Sequence, residues 1–368
     1  MNPRSFNPVV QGGLLALLAA ALFGLSTPLV QHWGRGLGPF ATAALLYAGA
    51  AGVAAFMRKP KEREAQLEKA DAGRLLLMAL FGAVIGPVAL AWGLQHTSGT
   101  AASLMLTLEA VFTAGLAWLL YRETVDKRVV VAMLLLLVGG LLLALEQGLT
   151  GTVQLLGLVA VMLATAAWGV DNTLSRGVAD RDPGQVVMVK ATLGLLATGL
   201  MAWQLGEPVP TAAQALVLLG IGASGYGLSL RFYLLAQRRF GAARTGSVFA
   251  FAPFIGALGA IAMGERAGSV LLLVGGVLML AGVVLHLFEF HVHEHVHEPM
   301  AHEHAHTHDD GHHNHMHERM PKGPHSHWHE HNALTHSHNH APDLHHLHGH
   351  PQSPPSSRSA GQSTDRPA

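Results

Sequence analysis

The chain has no cysteine. Disulfides, thiolate zinc sites, iron–sulfur clusters and cysteine nucleophiles are thereby excluded. Charge is scarce too: 12% of the 368 residues are Asp, Glu, Lys or Arg, against 50% hydrophobic residues. A water-soluble chain of this length would carry far more polar surface, so lipid is the expected solvent for most of the molecule. No nucleophile–base arrangement or nucleotide-binding loop is legible, and an enzyme is not expected. The charge that exists is unevenly divided. Residues 1–290 hold 19 Lys/Arg and 14 Asp/Glu, whereas residues 291–368 hold 4 and 9. Two parts with different solvents follow.

A membrane helix needs about 20 apolar residues. Ten segments qualify: Val10–Val30, Pro39–Met57, Leu75–Leu94, Thr100–Tyr121 and Val129–Leu145, then Leu155–Leu174, Val186–Trp203, Ala213–Leu235, Thr245–Met263 and Val270–Leu287. The fifth and tenth are short and their bounds are free to shift by several residues. Val10–Val30 is long for a signal peptide and lacks a small-residue cleavage site, so it is expected to stay as the first helix. Lys and Arg favour the cytoplasmic side. With the N-terminus inside, the cytoplasmic loops carry Arg58, Lys59, Lys61, Arg63, Lys69 and Arg74, then Arg122, Lys127, Arg128, Arg176, Arg181, Arg238, Arg239 and Arg244. The opposite loops carry Arg35 and Arg266. The expected placement is the inner cell membrane, multi-pass, with both termini cytoplasmic.

The hydrophobic body is duplicated. Phe23-Gly24 aligns with Trp168-Gly169, Gly13-Leu14 with Gly157-Leu158, and Leu29 with Leu174. Further on, Gln95 falls on Gln237, Gly99 on Gly241, Glu123 on Glu265 and Gly140 on Gly282. The offset moves from 145 to 142 residues, which the longer charged linker of the first half absorbs. Five spans per half is an odd number, so the second copy is inverted in the membrane, an architecture of secondary transporters. The predicted fold is an all-α membrane protein: ten transmembrane helices as two inverted five-helix repeats, residues 1–148 and 149–290, followed by a disordered cytoplasmic tail over 291–368.

These motifs resemble the drug/metabolite transporter superfamily, in its EamA-like branch, across residues 10–288. In the first half, Leu106-Thr107-Leu108-Glu109-Ala110-Val111-Phe112-Thr113 runs to Tyr121-Arg122-Glu123 and on to Gly139-Gly140. In the second, Phe251-Ala252-Pro253-Phe254-Ile255-Gly256 runs to Gly264-Glu265 and Gly282. Ala110 stands where the resemblance leads one to expect a proline, so the fourth helix is expected to be straighter than the ninth, which keeps Pro253. The resemblance implies export or exchange of a small metabolite and names no substrate.

Ionisable groups at membrane depth are expensive and face a cavity or a partner. Glu109, mid-helix, has Phe251 as its counterpart. It is a candidate to bind a proton or cation and couple a gradient; a buried structural carboxylate is the alternative. Asp171 and Asn172 align with Ser26 and Thr27, two polar pairs suited to a binding site on the repeat axis. Lys190 is expected to pair with Asp171, and Arg231 to snorkel to its helix end. The abundant glycines, Gly82-x-x-x-Gly86 among them, read as helix-packing contacts.

Between His291 and His350 lie 23 histidines. The blocks are His291, His293, His295 and His297; His302, His304, His306 and His308; His312, His313, His315 and His317; His325, His327, His329 and His331; then His336, His338 and His340. A last block runs from His345 to His350. Imidazole suits Zn, Ni, Co and Cu, and spacing of two sets alternate imidazoles on one side of an extended chain. His-Glu-x-x-His occurs at His293 and His302, yet alternation generates it by chance and no cleft accompanies it. The tail is expected to bind transition metal as a many-site buffer; no cofactor is required. The expected function is a secondary transporter exporting a small metabolite, a metal or a metal chelate. A general metabolite or drug exporter with an accessory tail, or a non-transporting metal sensor, stands as the alternative. Expected partners are the bilayer and a small-molecule or metal-ion substrate. A homodimer is left open, and nucleic acid is excluded.

Overall fold

The computed structural model describes residues 8–57, 65–121, 127–178, 181–240, 242–265, 269–287, 292–297, 300–306, 325–331 and 334–339. Arg58, Lys59, Lys61, Arg63, Arg122, Glu123, Gly241, Arg266, His291, His308, His312, His313, His315, His317 and the histidines from His340 onward lie outside the described residues.

Runs of Leu, Val and Ala broken by few charges fold here as helices whose outer faces stay apolar. They are α1 (Val10–Trp33), α2 (Pro39–Phe56), α3 (Lys69–His96), α4 (Gly99–Leu120), α5 (Lys127–Thr150), α6 (Thr152–Ser175), α7 (Pro183–Gln204), α8 (Ala212–Ala236), α9 (Thr245–Ala262) and α10 (Val270–Leu285). By length and composition, nine are suited to cross a membrane among the described residues, and α10 is shorter. Large apolar side chains point outward along them, such as Leu141 at 59% exposure, Leu216 at 71% and Leu273 at 68%. Water would penalise that surface heavily; hydrocarbon does not. The molecule is therefore a multi-pass membrane protein. Helices α3 and α5 extend past their predicted apolar runs at both ends, because backbone hydrogen bonding continues through the polar residues that flank the hydrocarbon.

Caps set several boundaries. The Ser98 side chain accepts from Ala101 N–H at the start of α4, Asp182 accepts from Gly184 N–H ahead of α7, and Thr211 with Gln214 forms a capping box on α8. Gly206 (φ 64°) and Gly264 (φ 101°) supply the left-handed turns after α7 and α9.

The packing repeats across the two halves. Helix α2 lies against α7 and α5 against α10, the two pairs a twofold axis maps onto themselves. The contact of α1 with α8 is mirrored by α6 with α3, and that of α1 with α9 by α6 with α4. Even the irregularities repeat. A π-helical turn occupies Leu80–Ile85 in α3 and Gly222–Leu228 in α8, and the sequence offset carries Leu80 onto Gly222. Helix α4 holds a 3-10 turn at Leu106–Leu108, level with the break at residues 250–251 of α9. With Ala110 in place α4 narrows to 3-10 and stays helical, while α9 breaks at residues 250–251 just ahead of Pro253. Small residues permit the closest crossings. A Cβ added to Gly93 would sit 2.6 Å from Gly157 O, and one added to Gly139 would sit 2.8 Å from Gly275 O.

Four short segments of the tail are among the residues described. β1 (Val292–His297) pairs antiparallel with β4 (Leu334–Asn339), and β2 (Met300–His306) with β3 (His325–His331). Both pairs keep one register, from Val292 opposite Asn339 to His306 opposite His325. The alternation of His with other residues has the period of a strand, which accounts for the preference.

Candidate functional site

A cavity of about 120 Å³ lies between the halves. Its wall draws on eight helices, and helical spacing explains which residues reach it. On α6, Trp168, Asp171 and Asn172 stand at i, i+3 and i+4; on α7, Val187, Lys190 and Ala191 do the same; on α8, Tyr226, Ser229, Leu230 and Tyr233 share a face. Phe23 of α1, Tyr47 of α2, Gly82 of α3, Glu109 of α4 and Phe249 of α9 complete the ring.

Six aromatic side chains make the wall stiff. Phe23 meets Trp168 edge-on at 5.9 Å and Tyr226 at 6.1 Å; Tyr47 meets Tyr226 at 5.8 Å; Tyr233 meets Phe249 at 5.0 Å. Phe23 and Trp168 are repeat equivalents, so their contact marks the pseudo-twofold axis. The carbonyl of Gly82, inside the π-helical turn of α3, accepts from Tyr47 Oη at 2.5 Å and from Trp168 Nε1 at 3.1 Å. Gly82 must be glycine here, because a Cβ would land on the Asp171 carboxylate. Gly86 likewise sits under the Trp168 indole, where a Cβ would lie 2.7 Å from Nε1. The Gly82-x-x-x-Gly86 face is therefore what lets α6 press its site residues into the centre.

Of the predicted site residues, Glu109, Asp171, Asn172 and Lys190 come together. Lys190 Nζ donates to Asp171 Oδ2, both side chains being buried. Asn172 Nδ2 donates to Glu109 Oε1 at 2.5 Å. Ser26 and Thr27 are buried in α1 and do not line the cavity; Ser26 Oγ donates to Phe23 O at 2.6 Å and its Cβ packs on Gly225. Two buried polar atoms of lining residues make no hydrogen bond: Asp171 Oδ1, and Tyr226 Oη beside Ser26. Arg231 lies clear of the cavity, donating to Met57 O at 3.0 Å. The sequence reading missed Tyr47, Tyr226, Ser229, Tyr233 and Phe249. The signal available was the i, i+3, i+7 spacing of Tyr226, Ser229 and Tyr233 in an otherwise aliphatic helix.

The cavity is displaced toward the end of the bundle that carries Arg181. Asp171 is four residues from the end of α6, and Tyr233 three from the end of α8. The opposite end is sealed by polar contacts. Glu265 accepts from Gly99 N at 2.7 Å, Thr100 N at 2.9 Å and Thr100 Oγ1 at 2.8 Å, covering the N-terminus of α4. Glu207 accepts from Ala41 N at 2.6 Å and Phe40 N at 3.2 Å at the N-terminus of α2. In both cases a second-half carboxylate satisfies orphan N–H groups of a first-half helix and meets the positive end of its dipole. Gln31 Nε2 donates to Thr97 O at 3.0 Å and Gln95 Nε2 to Leu37 O at 2.9 Å, tying α1 to α3 at the same end. At the other end Arg181 pairs with Glu68 at 2.8 Å and Asp71 at 3.2 Å. No group of three His, Asp or Glu side chains suited to a metal ion occurs among the described residues, tail side chains lying outside that description.

A family model for the EamA-like transporter family matches residues 10–145 and 155–288, one match per repeat. An uncharacterized transporter of Methanothermobacter thermautotrophicus is 29% identical over 229 residues, covering 61% of this chain and 67% of its own. One from Clostridium kluyveri is 22% identical over 234 residues, covering 61% and 75%. A solved crystal structure matches with a TM-score of 0.55 at 19% identity, covering 75% of this chain and 96% of that one, a likeness of fold alone.

Proposed function

The chain belongs to the EamA-like transporter family, and from that premise we propose that it is a secondary transporter whose cargo, a small organic solute, occupies the cavity on the repeat axis. The observation that carries the reading is the placement of Phe23 and Trp168. Repeat-equivalent side chains touch inside a largely aromatic cavity that holds a few polar groups, at the one level where inverted halves can exchange open and closed ends. The lysine and arginine bias supports an inner-membrane orientation with the Arg181 face and both termini cytoplasmic. The structure is then inward-facing, with Glu207 and Glu265 closing the outer mouth. Solute entering from inside contacts the aromatic wall and the Glu109–Asn172 and Asp171–Lys190 pairs. Rocking of one half against the other breaks the two carboxylate caps and opens the way out. Glu109 couples the movement, binding a proton or the cargo in turn.

The tail binds Zn, Ni, Co or Cu in this reading. Its support is the register, which sets His293 opposite His338, His295 opposite His336, His302 opposite His329 and His304 opposite His327. A metal or metal chelate as cargo is the second reading, favoured by that tail. Proteoliposomes loaded with candidate solutes test both: counterflow of an organic solute supports the first, and metal flux with no organic counterflow replaces it.

A further inference from the structure

The wall of the cavity has an unequal chemistry. Among the described residues its ionisable side chains are Glu109, Asp171, Lys190, Tyr47, Tyr226 and Tyr233. Lys190 is spent on Asp171, leaving that pair neutral as a unit. Glu109 is hydrogen-bonded to the uncharged amide of Asn172 and, with Asp171 and Lys190 across the same cavity, forms no ion pair among the described residues. The formal charge of the wall is therefore −1 when Glu109 is ionised. Around it stand the π-faces of Phe23, Trp168, Tyr226 and Tyr233, which attract cations through their quadrupoles. Asp171 Oδ1 is an acceptor with no donor, and Tyr226 Oη is equally unmatched, both in residues at most 8% exposed. A buried acceptor without a partner is costly unless something in the cavity supplies an N–H or O–H. The space is roughly ten times the ~10–15 Å³ one water requires, so these atoms border room for a solute.

We propose that the cargo is a protonated organic amine: a small molecule with an apolar body and a cationic N–H group. The apolar body lies against the aromatic ring of side chains. The ammonium sits over a ring face within reach of Glu109 and donates to Asp171 Oδ1 or Tyr226 Oη. Carboxylate solutes are excluded by the same wall, since their charge would meet Glu109 while Lys190 is already engaged. The inference rests on the cavity being the transport site, as proposed above.

The test uses four probes of one shape on the full-length purified protein: 2-phenylethylamine, its N,N,N-trimethyl derivative, 2-phenylethanol and 3-phenylpropionate. Binding is read by calorimetry and flux by counterflow in proteoliposomes. The amine is expected to bind about tenfold more tightly than the alcohol, with the carboxylate weakest. Glu109→Gln should bring the amine down to the affinity of the alcohol. Tyr226→Phe should weaken the amine more than the trimethylammonium probe, which has no N–H to donate. Alcohol or carboxylate binding as tightly as the amine overturns the proposal, as does absence of amine binding at millimolar concentration. Should Glu109→Gln fail to fold, the probe series on the native protein and Tyr226→Phe still decide. Amine binding without counterflow leaves the cation site standing and removes the transport reading; counterflow indifferent to charge does the reverse.

Discussion

Glu265 offers the sharpest mechanical test. Its carboxylate takes two backbone N–H groups and one hydroxyl at the start of α4. A hydrogen bond to a charged acceptor is worth roughly 1.5–3 kcal/mol, and the helix terminus adds about 0.3–1 kcal/mol. Glutamine keeps one acceptor oxygen but turns the other into a donor facing donors. Allowing for water at this half-buried rim, Glu265→Gln should weaken the closed Glu265 end by about 2 kcal/mol, or roughly thirtyfold in the closed-to-open ratio. The absence of native cysteine makes the assay clean. Ser103, one turn further in on α4 and 0% exposed, becomes the reporter as Ser103→Cys. A membrane-impermeant maleimide added from the Glu265 side should label it slowly in the parent and up to thirtyfold faster with Glu265→Gln, since labelling follows the fraction of time the end is open. A rate within twofold of the parent, with an unaltered melting temperature, would refute the view that this carboxylate holds the mouth shut.

Three further outcomes follow from the packing. Gly82→Ala forces a methyl into the Asp171 carboxylate; it should destabilise the protein by about 1–3 kcal/mol, seen as a lower melting temperature in detergent. Asp171→Asn or Lys190→Met alone should destabilise by roughly 3–5 kcal/mol and the double substitution by much less, a coupling that a double-mutant thermal cycle measures. Additive losses would mean the two charges are independently solvated. Deleting residues 291–368 should leave counterflow intact while abolishing Zn and Ni uptake by equilibrium dialysis, and retained metal binding would move the metal site into the membrane body.

The helices and the duplication were legible because lipid imposes one rule on every span: satisfy the backbone internally and face outward with hydrocarbon. The pairing of Asp171 with Lys190 could be expected from depth and charge alone. Glu109 and Asn172 were each singled out, but their meeting was not, since α4 and α6 touch only through the three-dimensional packing. The same blindness hid the aromatic wall. Tyr47 and Phe249 lie two hundred residues apart in apolar helices, where a ring reads as ordinary hydrophobic content. Ser26, aligned with Asp171, stands one layer behind the wall: repeat symmetry governs backbone position, and α1 packs Ser26 on the lining residue Gly225. The carboxylates of Glu207 and Glu265 lie in loops, and nothing in periodicity announces a loop residue that caps a distant helix.

Backbone symmetry and side-chain asymmetry have separate consequences here. The mirrored crossings, the paired π-helical turns and the level interruptions of α4 and α9 give the two halves nearly interchangeable scaffolds. Near-equal scaffolds make two opposed arrangements close in energy, and only then can small differential interactions shift the population between them. The asymmetry does the selecting. Glu109 has Phe251 as its counterpart and Asp171 has Ser26, so charge is concentrated on one side of the axis instead of being repeated by a symmetric copy. At the Glu265 end both capping carboxylates come from the second half and close on the first. Two caps of about 2 kcal/mol each would hold the Glu265 end shut by a few kcal/mol at most, a bias that a bound solute can overturn through its own differential contacts. A much deeper lock would trap the carrier in one state, and a symmetric, uncharged cavity would give solute nothing to bias.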